Sequence, residues 1–192
     1  LIFKQRGLSV SGFLDFREDL TEEFDKYISD KDRGIDTGFV SIDAALGGIF
    51  KGDILTVGAR TGCGKTAIKT KMMLNIAGMG HECLYVTTEM SKPEMLCRVL
   101  PIASGIEAWK FNRKTLSYDE VKRISEVTFE KLSKLPIKIW AHPSPSLADI
   151  QAAIVQSGCR VAFLDYLQRF TLPDLRRNDA RTYQIAEFMK RL

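Results

Sequence analysis

No stretch of this chain approaches the roughly 20 consecutive apolar residues that a membrane-spanning helix needs, although 45% of its 192 residues are hydrophobic. No secretory leader is visible: Leu1 to Val10 is a short mixed segment carrying Lys4 and Arg6. The four cysteines (Cys63, Cys83, Cys97 and Cys159) include no C-x-x-C pair. That argues against a zinc site or a disulfide framework and fits a reducing cytoplasm. Strong charge of one sign is lacking too. Twenty-eight basic and 24 acidic residues leave +4, which permits nucleic acid as a partner without arguing for it. There is no internal repeat and no low-complexity tract. His81 and His142 read as ordinary loop residues, and Trp109 and Trp140 as packing residues. Leu1 is not an initiator methionine, so a piece of a longer chain is expected. What remains is enough sequence for one good-sized core.

Hydrophobic periodicity organises it. Phe13, Phe16, Leu20, Phe24, Tyr27 and Ile28 recur at spacings of three and four, which predicts an amphipathic helix over 13–29. Its stripe suits its own domain or a neighbouring subunit equally. A polar break, Ser29 to Gly34, reads as a linker. Ser41 is placed to cap a short helix ending at Gly47-Gly48. Strands are expected at 54–58, 83–87, 137–141 and 161–165. Between them lie helices over 66–77, from Ser91 to Ser104, from Ser117 to about Leu135, and from Ser146 to Gly158. Ser91-Lys92-Pro93-Glu94 and Ser117-Tyr118-Asp119-Glu120 are capping boxes. A loop from Asp165 to about Asp179 and a last helix complete the pattern. Alternating strands and helices indicate an α/β fold, a mainly parallel sheet flanked by helices. Ligands of such sheets bind at the C-terminal strand ends, where Gly58, Glu89 and Asp165 fall.

One segment carries chemistry by itself. Ala59-Arg60-Thr61-Gly62-Cys63-Gly64-Lys65-Thr66 fits a phosphate-binding loop, with Ala59 where Gly is commonest. It lies between a strand and a helix, the context that gives the pattern meaning. A tight turn after a strand aims backbone N–H groups inward, and the helix adds its unpaired N–H groups and dipole. Lys65 is expected to reach the β- and γ-phosphates of a nucleotide, and the Thr66 hydroxyl to hold Mg²⁺. Cys63, near a helix N-terminus and Lys65, is either a reactive thiol or a small residue that fits the loop. The apolar run Val161 to Leu164 ends in Asp165, about 100 residues after the loop, as a second metal-holding carboxylate would. Glu89 follows another strand. It suits a general base for an attacking water, or simply precedes the helix capped by Ser91.

Five segments together, Ile35-Asp36-Thr37-Gly38-Phe39, Gly47-Gly48, Ala59 to Thr66, Thr88-Glu89-Met90-Ser91-Lys92 and Leu164-Asp165-Tyr166-Leu167-Gln168, resemble DnaB-type replicative helicases in order and spacing. The resemblance covers about 34–192. It implies a RecA-like motor domain over 34–192, preceded by a segment over 1–33 whose helix resembles the family's linker helix. It implies ATP or another nucleoside triphosphate with Mg²⁺, a ring of six, single-stranded DNA as track, and a helicase loader and primase as partners. By position, Lys65 and Thr66 hold phosphate and metal, Asp165 is the Walker B acid and Glu89 the catalytic glutamate. Arg98 matches an arginine the family places near this site; pairing with a carboxylate or phosphate and a plain helix-surface role both stay open. Thr61-Gly62-Cys63 and Arg169-Phe170 depart from the usual pattern. The family's glutamine sensor, main DNA loops and arginine finger lie further on than Leu192. The expectation is therefore an incomplete motor core with little activity alone.

Two other functions compete: a RecA-like recombinase or circadian-type ATPase, and a nucleotide-gated assembly module that unwinds nothing. Tyr166-Leu167-Gln168 speaks against the first.

Overall fold

The computed structural model describes residues 2–5, 24, 34–60, 62–165 and 189. The helix expected over 13–29, apart from a helical Phe24, the linker 29–33 and the segment after Asp165 lie outside the described residues. The chain forms two compact units, Leu1–Lys65 and Thr66–Leu192.

In the first unit, β1 (Ile2–Gln5) pairs antiparallel with β2 (Ile54–Val57), Ile2 opposite Val57 and Gln5 opposite Ile54. The mixed opening segment carries no alternation that announces a strand, so nothing in the sequence predicts β1. The partner of β2 also differs from the parallel pairing that its alternation with helices suggests. An apolar run marks a strand but not its neighbour.

Helix α1 (Val40–Leu46) ends at Gly47 as expected, but its start corrects the sequence reading. The N-cap is Phe39, without a side-chain cap bond, and Ser41 lies inside the helix. Asp43, inside the helix, instead ties down the segment that leads into it. Its carboxylate accepts from Thr37 N and Thr37 Oγ1, both at 2.7 Å, and from Gly38 N at 3.1 Å. Thr37 Oγ1 in turn accepts from Phe39 N at 3.2 Å. A carboxylate has two oxygens and about four lone-pair sites, so it takes three donors at once more readily than a serine hydroxyl with two. Around this knot, Ile35 and Ile49 exchange backbone hydrogen bonds of 2.8 and 2.9 Å. A Cβ placed on Gly34 or Gly48 would sit 2.7–2.9 Å from backbone atoms across the approach. That crowding explains the glycines physically.

The second unit is a three-stranded parallel sheet in the order β4-β3-β5. β3 (Cys83–Thr87), β4 (Ile137–Ala141) and β5 (Val161–Asp165) have the bounds expected from their apolar runs. The central strand, β3, is buried at all five positions, as a strand covered on both faces must be. Alternation then divides its side chains. Leu84 and Val86 pack with Ile150, Leu147 and Ile154 of α6 (Leu147–Ser157) and with Trp140. Cys83 and Tyr85 turn the other way, toward α2 (Lys65–Gly78), which buries Thr70, Met72, Met73, Ile76 and Ala77. Full burial of each such large apolar side chain contributes about 1.5–3 kcal/mol.

Helices α3 (Lys92–Ser104) and α5 (Tyr118–Glu130) open with the expected capping boxes, and α6 opens with a third, Ser146 with Asp149. α5 ends earlier than expected, and a single 3₁₀ turn, Leu132–Lys134, carries the chain on. Helix α4 (Ala108–Arg113) has no side-chain cap bond, and no sequence signal predicts it. Lys110 ties it to Glu120 of α5 at 2.6 Å. Its Trp109 corrects the packing expectation: the ring is half exposed, with Lys110 and Arg113 each 5.7 Å from its centroid. Among the described residues, no helix is long and apolar enough to cross a membrane.

Candidate functional site

The loop after β2 owes its shape to two glycines. Gly62 and Gly64 both have φ of 83°, the left-handed region, while a Cβ on either would meet open space. Backbone sign, not crowding, selects glycine there. Cys63 N donates to Arg60 O at 3.2 Å, and Cys63 is exposed. The Lys65 ammonium folds back over the loop, donating to the carbonyls of Ala59 at 2.6 Å and Arg60 at 3.0 Å. A cation thus lies against the start of the loop, at Ala59 and Arg60. Thr61 lies outside the described residues.

In the second unit, Thr66 stands in the first turn of α2 and its Oγ1 lies 3.4 Å from Asp165 Oδ2. Asp165, the last residue of β5, is only 7% exposed. Tyr85 OH donates to the same oxygen at 2.8 Å. Burial first, and the Asp165 charge second, push the Tyr85 phenol far above its ordinary range, so it remains a donor. Lys69 forms an ion pair with Asp165 Oδ1 and reaches the Leu164 carbonyl at 3.4 Å. Thr66, Lys69 and Thr70 follow one another at helical spacing on a single face. Tyr85 also stacks on Phe163, centroids 6.2 Å apart.

Strand register brings in Glu89. Thr87 is paired with Asp165, so β3 and β5 end side by side. Thr88 N and Oγ1 both donate to the Asp165 carbonyl, at 2.9 and 3.3 Å. Glu89 follows as an exposed residue, its N–H directed at Thr87 Oγ1. Arg98, exposed on α3, is close enough to Glu94 to help keep that carboxylate ionised and close enough to Tyr85 to act on its phenol.

The structure therefore gathers Thr66 and Asp165, sets Glu89 next in the chain to Thr88, and does not bring Arg98 into contact with them. It adds Lys69, Tyr85 and Thr88, which sequence reasoning misses. The i, i+3 spacing from Thr66 to Lys69 was the available signal; Tyr85 and Thr88 needed the strand register. Two adjacent hard oxygen donors fit Mg²⁺, which keeps several waters and takes few protein ligands. No group of three or more His, Cys, Asp or Glu side chains that could hold a metal occurs among the described residues.

Residues 34–192 match the model of the DnaB-like helicase C terminal domain. The chain belongs to that family. It is 30% identical to replicative DNA helicase DnaB of Treponema pallidum over 70% of this chain and 32% of that one. With its Helicobacter pylori counterpart the identity is 24%, over 97% of this chain and 40% of the other. The chain thus spans about a third to two fifths of the length of these curated relatives. The fold of the DnaB-like family is seen again in two solved structures, each 24% identical and covering 94% of this chain. One is an ATPase domain, with a TM-score of 0.74 over 66% of that chain. The other is a DnaB-like replicative helicase described with its interactions with primase, at 0.73 over 46%. Both share this chain's fold, a mainly parallel sheet flanked by helices.

Proposed function

We propose that this chain is the nucleotide-hydrolysing motor part of a replicative DNA helicase. Residues 1–33 would be a linker segment and 34–192 the ATPase domain. The observation that carries the reading is the Thr66 hydroxyl beside the buried Asp165 carboxylate, directly after a lysine-bearing loop. Lys65 and residues 59–64 bind the β- and γ-phosphates of ATP or another nucleoside triphosphate. Thr66 and Asp165 would hold Mg²⁺, whose charge would offset that of the phosphate oxygens. Glu89 takes a proton from water as the water oxygen attacks the γ-phosphorus and the bond to the β–γ bridging oxygen breaks. Arg98 supplies positive charge at the edge of the site. The resemblance to the family's arginine at this position supports that role, and its exposure leaves it free to meet a phosphate.

In the same reading the intact protein works in the cytoplasm as a ring of six on single-stranded DNA, with a loader and primase as partners. The family match supports the DNA-helicase class. The test is phosphate release by the intact protein with Mg²⁺-ATP, with and without single-stranded DNA. Hydrolysis stimulated by DNA is expected. Nucleotide binding that changes oligomeric state, without DNA-stimulated turnover, would replace the motor with an assembly module.

A further inference from the structure

Both oxygens of Asp165 are in use, but by different kinds of donor. Oδ2 takes a phenol and faces a threonine hydroxyl, while Oδ1 takes a full positive charge from Lys69. The pair is largely shielded, with side-chain exposure of 15% for Lys69 and 10% for Asp165. We propose that Lys69 is a resident counter-cation that a divalent metal must displace from Asp165, so that this side chain sets how tightly the site takes Mg²⁺. The inference rests on the reading of Asp165 as a metal carboxylate.

Three physical points support it. A charge this shielded is costly unless paired, and Lys69 supplies that pairing from α2, one helical turn after Thr66. An ammonium is a compact point charge on a flexible four-carbon stem, so it can leave without moving the backbone. The phenol cannot play this part, since it carries no charge to offset and is held by stacking on Phe163. Mg²⁺ binds carboxylate oxygen at about 2.0–2.1 Å. An ammonium on the same carboxylate then faces a like charge at short range in a shielded site. Metal and lysine therefore compete for the one carboxylate charge, and the protein without metal keeps a charge-compensated Asp165.

The experiment measures Mn²⁺ binding to the intact protein by electron paramagnetic resonance of the free ion, with a non-hydrolysable ATP analogue present. Lys69→Gln is expected to tighten Mn²⁺ binding at least about fivefold, because one like charge beside the metal is gone. Lys69→Arg should stay within about twofold of wild type, since the charge persists. In EDTA the melting temperature of Lys69→Gln should fall, and Mn²⁺ should restore more of it than it adds to wild type. Wild-type protein gives a reading independent of variant folding: Lys69 should react faster with an amine-modifying reagent in Mn²⁺ than in EDTA, as mass spectrometry of its peptide shows. Unchanged or weaker Mn²⁺ binding in Lys69→Gln, or unchanged reactivity of Lys69 in wild type, overturns the proposal. Asp165→Asn separates the two levels. If it binds Mn²⁺ like wild type, the metal reading of Asp165 fails. If it loses Mn²⁺ while Lys69→Gln is unaltered, only the role of Lys69 fails.

Discussion

The phosphate-loop candidate and the Asp165 cluster are built on opposite principles. Residues 59, 60 and 62–64 are exposed and the segment holds two left-handed glycines, with the lysine bonded to carbonyls five and six residues away. Asp165 is buried and held by side chains 99, 96 and 80 residues distant in sequence. The first is local chemistry, held by bonds within one short segment. The second exists only once β3, β5 and α2 have packed. Substitution in the loop should therefore damage ligand binding and spare the fold, whereas substitution at Asp165 should damage both.

The sharpest way to break that contrast is Asp165→Ala. It strands the Lys69 ammonium, and losing one partner of a buried pair costs about 3–5 kcal/mol. Urea unfolding of the unliganded protein should show it; a change below about 1 kcal/mol would put Asp165 in the same class as the loop. Glu89→Gln comes next. An amide keeps the shape but is a poor proton acceptor, so hydrolysis by the intact protein should fall about 100-fold or more while nucleotide binding persists. Turnover within about threefold of wild type would move the base elsewhere. Lys65→Ala should weaken nucleotide binding at least about tenfold, or roughly 1.4 kcal/mol, with little change in melting temperature. Titration with a labelled triphosphate analogue decides it, and unchanged affinity would remove the loop from the site.

The smallest effect concerns pH. The capping partners Glu94, Glu120 and Asp149 all have lowered carboxyl pKa values. For Glu94 the cause is bonding to Ser91; for Glu120, the Lys110 pair and then Ser117; for Asp149, bonding to Ser146. Because the folded values lie below the unfolded ones, this support is present above the unfolded pKa and is lost as pH falls through the folded pKa. Amide exchange at the first turns of α3, α5 and α6 should rise in that acid window, ahead of exchange in β3.

What can be read from the sequence follows the same divide. Strands β3, β4 and β5 and the three capping boxes are legible because each is written within a few adjacent residues. The turn-forming Gly62 and Gly64 are legible for the same reason. The start of α1 is easily misread because a serine at the right offset imitates a cap, while the helix begins without a side-chain cap and Asp43 ties down the residues before it. α4 escapes because six residues are too few for a periodic signal. Lys69 and Tyr85 reach Asp165 only through tertiary packing, and a lysine among other charged residues on a helix looks like surface until that packing is known.

Thr88 has a mechanical consequence. Its N–H and its hydroxyl both grip the carbonyl of Asp165, and Glu89 is the next residue in the chain. The two carboxylates proposed for metal and water are thus yoked by one residue. The distance between the two acids is therefore set by backbone, through two bonds to a single carbonyl, and not by the side chains themselves.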